Sequence, residues 1–496
     1  MTTTLFPSIL PVLAVGVSLA AVPLIAANHH RPNVREFWTL VAAGIKFALV
    51  LSLIGWIVAG QTVAVDLLHV LPELSIRFRV DSFGLFFALV SSFLWIVASV
   101  YCIGYMRGLK EHAQTRFYVC FALSLCATLG VAFSGNLLTM YLFYEMLSLS
   151  TYPLVAHHQD REARAGSRKY LVFLLGGSVG LVLPAMLVIY VATGTLDFAD
   201  NIASGIFPDE VNPTLIVVVY VCCLLGFAKN GVMPMHAWLP GAMVAPTPVS
   251  ALLHAVAVVK VGVFCTTRVM LYVFGVENLD ALGLGIATAW FVSFTILAAS
   301  MIALGKDNLK ARLAYSTVSQ LSYIILGVAL LTPAAIEGGL IHIANHAFAK
   351  ITLFFCAGAI YVASHKKNVS ELDGLGRVMP FTFAAFAIAS LSMIGAPPVG
   401  GFVSKWYLLV GSLDAGQIGI LMVLLVSTLL NVGYFAPIIY RAFFAKPPAG
   451  AVDQGIKEAP LTMVVPILLA ATISVLIGIF PEVMMQFVKA VTAGYG

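Results

Sequence analysis

Apolar stretches long enough to cross a hydrocarbon core of about 30 Å recur from one end of this 496-residue chain to the other. Lipid offers the backbone no hydrogen bonds, so a spanning segment must satisfy its own polar groups. The runs are continuously apolar rather than alternating, which excludes a transmembrane barrel and leaves helices. They lie near residues 5–27, 36–60, 81–105, 116–134, 136–156, 169–193, 213–240, 244–274, 281–304, 311–331, 336–363, 380–411, 417–443 and 461–487. The pattern predicts an all-α polytopic membrane protein of about 14 transmembrane helices. The first run has no basic leader, so it is expected to remain as a helix rather than leave as a signal peptide.

Loop charge orients these helices. Basic residues gather after helix 1 (Arg31, Arg35), helix 3 (Arg107, Lys110, Arg116) and helix 5 (Arg161, Arg164, Arg168, Lys169). They gather again after helix 9 (Lys306, Lys310, Arg312), helix 11 (Lys366, Lys367, Arg377) and helix 13 (Arg441, Lys446, Lys457). The opposite loops carry Asp197, Asp200, Asp209, Glu210, Glu277, Asp280, Glu337 and Asp414 instead. Arg77 and Arg79, before helix 3, break the pattern. The positive-inside rule then places both termini outside a bacterial plasma (inner) membrane. The net charge of +5 reflects these loops; no basic patch interleaved with aromatics suggests nucleic acid.

The seven cysteines all fall in apolar runs and form no CxxC pair, so neither a zinc site nor an iron–sulfur cluster is expected. No phosphate-cradling glycine loop is present. No cofactor is expected, and any pumping must draw on an ion gradient or a partner subunit.

Some ionisable residues lie inside the apolar runs, where a charge costs at least roughly 2.5–3.5 kcal/mol and usually marks an ion path. Glu145 is in helix 5, Lys229 in helix 7, His254 and Lys260 in helix 8, and Lys405 in helix 12. His342, His346 and Lys350 are spaced by four and share one stripe of helix 11. A buried Glu–Lys pair that only fixes packing is the plainer reading, but one acid is a poor match for several lysines. Haem ligation would need histidines paired across facing helices. Lys46, nearer a loop, is read as structural, and Arg268 is expected to reach the interface.

Two runs contain helix breakers at mid-length: Pro234 and Pro240 in helix 7, and Pro397, Pro398, Gly400 and Gly401 in helix 12. Proline removes a helical hydrogen bond, and such a break survives at membrane depth only inside protein or beside a cavity. Broken helices at corresponding places in two halves point to inverted repeats. The organisation expected is 1–115 for helices 1–3, 116–274 for a first five-helix repeat (helices 4–8), 281–443 for a second inverted repeat (helices 9–13), and 461–496 for helix 14.

The segments GFAKNGVMPMHAWLPGAMVAPTPVSALLHAVAVVKVGVF, GKDNLKARLAYSTVSQLSYIILG, HIANHAFAKITLFFCAGAI and GAPPVGGFVSKWYLL, with FYEM upstream, carry a resemblance. They are similar to the antiporter-like subunits shared by respiratory complex I and the Mrp-type multisubunit Na⁺/H⁺ antiporters. Length, the lysine of helix 12 and LKARLAYSTVSQLSY resemble the Mrp D type. The resemblance implies proton transfer through Glu145, Lys229, Lys260 and Lys405, with His254 beside the path, His342 and His346 joining the halves, and Lys350 extending them. It implies partners of the Mrp A, B, C, E, F and G kind within the bilayer, with protons and Na⁺ as cargo. The other reading it implies is the pumping subunit of NADH:quinone oxidoreductase or a membrane-bound hydrogenase, a translocase whose redox chemistry sits elsewhere.

Orientation is directly testable. A cysteine at Arg164 should react with a membrane-impermeant maleimide only from the cytoplasmic side, and one at Asp209 only from outside; reversed labelling would invert the topology.

Overall fold

The computed structural model describes residues 5–71, 74–447, 455–493 and 495. The extreme ends of the first and last expected segments, 1–4, 494 and 496, lie outside the described residues. The chain is a polytopic helical membrane protein. Ten of its described helices are long and apolar enough to cross a bilayer by length and composition. In chain order the helices begin with α1 (Leu10–Ala27), α2 (Pro32–Val58), α3 (Ser82–Gly108), α4 (Gln114–Ala132), α5 (Leu137–Val155) and α6 (Arg161–Thr193). Next come α7 (Pro213–Gly226), α8 (Thr247–Phe274), α9 (Leu284–Leu304), α10 (Leu309–Ala329) and α11 (Pro333–Ser364). The last are α12a (Pro380–Ile394), α12b (Gly400–Asp414), α13 (Ile418–Phe443), α14 (Leu461–Ile479) and α15 (Glu482–Thr492).

Burial separates centre from rim. The apolar stretch of α8 is 100% buried and that of α3 is 83% buried, against 33% for α1 and α13. The outer helices turn aliphatic side chains such as Val191 and Leu429 outward, as lipid contact requires. The core therefore runs along α3, α8, α10 and α11, and Lys260, His254, His342, His346 and Lys350 lie within it.

The helical fold carries one small sheet that the sequence reading did not include. Leu5–Pro7 (β1), Thr62–Leu71 (β2) and Leu74–Val80 (β3) form a three-stranded sheet, with β1 parallel and β3 antiparallel to β2. The first helix thus starts at Leu10 rather than Leu5. Its signal was the alternation in LSIRFRV, a period of two rather than 3.6. The sheet also explains the two arginines that broke the charge pattern. Arg77 Nη1 reaches Asp197 at 2.7 Å and Nε reaches Asp66 at 2.5 Å, while Arg79 Nη2 reaches Asp200 at 2.7 Å. The hydrogen bond from Arg77 holds the Asp66 carboxyl below its usual range. These arginines are neutralised by the acidic side of the molecule.

Arg268 also departs from expectation. It does not reach an interface: it is 1% exposed and pairs through both terminal nitrogens with Asp81. Asp81 is also the N-cap of α3, accepting from Gly84 N at 2.7 Å. One carboxylate therefore closes a helix end and neutralises a guanidinium that lies among Phe83, Phe264 and Tyr272. The last expected run is divided at Phe480–Pro481, between α14 and α15.

Both expected breaks are present. Helix α7 stops at Gly226 and continues as a short 3₁₀ turn, Ala228–Asn230, then irregular chain. Gly395–Val399 separates α12a from α12b. Each break packs against a glycine of another helix. A Cβ on Gly262 of α8 would lie 2.1 Å from the carbonyl carbon of Lys229, and one on Gly478 of α14 would lie 2.1 Å from the carbonyl oxygen of Pro398. Only a residue without a side chain allows these approaches. Helix α8 is itself loosened by a π-helical turn at Leu252–Val256, next to Ala257 at φ −113° and ψ −81°.

Gly262→Ala should destabilise the detergent-solubilised protein by about 1–3 kcal/mol through overpacking. Gly44→Ala, which would meet nothing within 4 Å, should leave the unfolding midpoint unchanged. Equal midpoints for the two variants would show that the close approach is not needed.

Candidate functional site

A break in a membrane helix frees carbonyls and N–H groups that must find partners inside the protein. At the end of α7, Asn230 Nδ2 donates to Leu224 O at 2.8 Å and Trp238 Nε1 to Ala228 O at 2.9 Å. At the end of α12a, Asn431 Nδ2 donates to Met393 O at 3.2 Å. The neighbouring Ile394 O accepts from Lys405 Nζ at 2.8 Å. The C-terminal end of a helix carries partial negative charge, so an ammonium there gains an attraction without a carboxylate. The lysine excess noted in the sequence is met in part by backbone.

The same logic holds at the first break. Lys229 is 0% exposed. Its Nζ donates to Tyr144 O at 3.0 Å and to Ser148 Oγ at 2.6 Å, and lies over the Tyr144 ring. Tyr144 and Ser148 are one turn apart on α5, so one face of that helix receives the lysine. No Glu145–Lys229 contact within 4.0 Å occurs among the described residues. Glu145 sits one residue around the helix from Tyr144. Both its carboxylate oxygens are buried without a hydrogen-bond partner among the described residues.

The central groups do meet. Lys260 Nζ on α8 lies 2.5 Å from His346 Nδ1 on α11. The His346 and His342 rings stack at 5.8 Å. His342 bridges outward, with Nδ1 2.8 Å from Ser404 Oγ and Nε2 3.0 Å from Gln320 Oε1. Ser404 precedes Lys405, and Tyr323 spans the remaining step: its ring lies 5.7 Å from His342 and 5.2 Å from Lys405 Nζ. A cavity of about 110 Å³ adjoins Lys405, Gly395, Tyr323 and Thr428. A water needs only about 10–15 Å³ of such space.

Lys350, the third member of the stripe, turns to α10, where it donates to Leu313 O at 3.0 Å and to Ser316 Oγ. His254 packs its ring 4.5 Å from Phe354, and neither ring nitrogen has a hydrogen-bond partner among the described residues. It occupies the π-helical turn of α8. Such turns recur at functional sites, where they re-aim a side chain.

Sequence reasoning named the titratable groups and missed their hydroxyl and amide partners, Ser148, Ser316, Gln320, Tyr323 and Ser404. FYEMLSLS does carry the signal, since Tyr144 and Ser148 share Glu145's neighbourhood at helical spacing. Lys310, assigned to a loop, begins α10 and donates to Ala245 O at 2.6 Å.

A family model described as NADH:quinone oxidoreductase/Mrp antiporter, transmembrane, matches residues 134–431. The chain is 31% identical over 493 residues to NADH-quinone oxidoreductase subunit N of Desulforudis audaxviator, covering 96% of each. It is 31% identical over 472 residues to Na⁺/H⁺ antiporter subunit A1 of Staphylococcus haemolyticus, covering 89% of this chain but 57% of that protein. The chain thus spans little more than half of that relative. In fold it is similar to a chain of the Mrp complex from Dietzia sp. DQ12-45-1b, with a TM-score of 0.86, 23% identity, and 98% and 96% of the two chains covered. A chain of the membrane-bound sulfane sulfur reductase, an archaeal respiratory complex, gives a TM-score of 0.86 at 22% identity.

If the buried amines served packing alone, removing one would weaken the protein. A buried amine short of counter-charge is instead a burden on stability. Lys260→Met should hold or raise the unfolding midpoint, with a gain of up to about 3 kcal/mol. A fall of several degrees would make Lys260 structural.

Proposed function

The chain belongs to the NADH:quinone oxidoreductase/Mrp antiporter family of membrane subunits, and from that premise we propose that it is the proton-translocating subunit of a multisubunit Na⁺/H⁺ antiporter. The observation that carries this reading is the contact of Lys260 with His346, continued through His342 and Ser404 to Lys405. A buried amine hydrogen-bonded to an imidazole is a donor and acceptor pair that can exchange a proton without either group moving far.

In the proposed cycle a proton enters at Lys229, which Tyr144 and Ser148 hold at the first break. Glu145, whose carboxylate oxygens are buried beside them without a hydrogen-bond partner among the described residues, supplies the counter-charge that favours an ammonium there. When Glu145 turns toward a neighbouring subunit, the isolated ammonium is disfavoured and gives up its proton to Lys260. His346 and His342 pass it to Lys405, with His254 and Lys350 as flanking groups. The magnitudes agree: an unbalanced charge at mid-membrane costs roughly 2.5–3.5 kcal/mol, and moving one charge through 100 mV costs roughly 2.3 kcal/mol. Withdrawal of one counter-charge is therefore enough to work against a membrane potential.

The proposal extends to organisation. The two halves, 116–274 and 281–443, act as inverted repeats, each with its break and lysine. Both termini lie outside the bacterial plasma membrane, the neighbours are other membrane subunits of Mrp type, and this chain takes the place of the D subunit. A second reading, the pumping subunit of a redox-driven complex, is favoured by the match to subunit N across 96% of both chains. The composition of the purified complex separates them: small Mrp-type subunits support antiport, flavin and iron–sulfur subunits support the redox pump.

Lys229→Ala should abolish Na⁺-dependent proton movement in membrane vesicles while the complex still assembles. Transport at the normal rate would remove Lys229 from the path.

A further inference from the structure

On the side of the basic loops, away from the chain of lysines, two short connections approach one another. One joins α3 to α4 and carries Glu111 and His112; the other joins α5 to α6 and carries His157 and His158. Ligand-capable atoms of Glu111, His112 and His157 all lie within 4.8 Å of one another. His158 Nδ1 lies 3.8 Å from Glu111 Oε2, and His157 Nε2 lies 3.7 Å from the same oxygen. Both distances are too long for hydrogen bonds. The three imidazoles pack with ring centroids 4.7, 5.5 and 6.1 Å apart.

Two observations set this cluster apart from a chance grouping. His157 has a 0% exposed side chain, and both its ring nitrogens lack a hydrogen-bond partner among the described residues. A buried imidazole in that state is unusual unless another group satisfies it. His112 Nε2 lies 3.0 Å from the carbonyl oxygen of His157. Donation from Nε2 to that carbonyl leaves Nδ1 with its lone pair, the arrangement typical of a metal-bound imidazole. Arg116 donates to the same carbonyl at 2.9 Å.

We propose that Glu111, His112, His157 and His158 bind a divalent transition-metal ion of zinc's class and so staple the α3–α4 connection to the C-terminal end of α5. Three imidazoles and one carboxylate form a donor set of borderline softness suited to Zn²⁺. Tetrahedral bonds of about 2.0–2.1 Å place donors roughly 3.4 Å apart. The donors of Glu111, His112 and His157 lie within 4.8 Å of one another and His158 Nδ1 lies 3.8 Å from Glu111 Oε2, so these pairs close by roughly 1 Å or slightly more to reach tetrahedral spacing, and side-chain rotation brings His158 in as the fourth ligand. The site is distinct from the proton chain, but it holds the helix that carries Tyr144, Glu145 and Ser148.

The test uses the full chain in its purified complex, stripped of metal and titrated with Co²⁺. Visible absorption characteristic of a four-coordinate centre should saturate at one equivalent per chain and be displaced by Zn²⁺. His112 is exposed and His158 half-buried, so alanine there leaves the fold intact even if His157→Ala does not. Each of His112→Ala and His158→Ala should weaken binding by about tenfold or more. Absence of stoichiometric binding, or affinity unchanged in both variants, would overturn the proposal.

Discussion

A protonated amine in the middle of a membrane protein must be satisfied by something, and here that something is seldom a carboxylate. Lys405 closes the carbonyl end of a half-helix. Lys229 rests on a carbonyl, a hydroxyl and a tyrosine face. Lys260 has an imidazole. These partners stabilise an ammonium less than a fixed anion does. Each lysine can therefore lose its proton without leaving an unpaired acid behind. The contrast is Arg268, which is locked to Asp81 by two hydrogen bonds and anchors α3 to α8.

The helix breaks make this arrangement affordable. Regular helices consume their own carbonyls; a half-helix ends with carbonyls to spare. Gly262 and Gly478 let neighbouring helices press against the broken backbone. The breaks, the glycines and the lysines thus form one device, present once at α7 and again at α12. Between the two copies, α11 lays a row of histidines against α8, α10 and α12b. The transport role proposed for the chain follows from that continuity.

Much of the architecture was legible because lipid leaves a chain few options. Continuous apolar runs marked the helices, and Pro234, Pro397 and Pro398 marked the breaks. The sheet was not read, because strands of three to ten residues beside long apolar helices leave only a weak alternation. Arg268 was misplaced because sequence shows distance from a helix end and not a partner, and Asp81 lies far away in the chain. The polar partners of the lysines are serines, tyrosines and a glutamine, residue types too common in helices to stand out. The histidine and glutamate cluster at Glu111 and His157 does not stand out in sequence, because its members come from two separate connections with no ligand spacing within either.

The central claim is that the amine at Lys260 must release its proton, not merely carry charge. Arginine keeps the charge and length but does not deprotonate in proteins. Proton flux should therefore be measured in proteoliposomes bearing the intact complex with Lys260→Arg, under an imposed ion gradient. The account predicts an assembled complex with flux reduced to background. Flux equal to that of the native complex would contradict it.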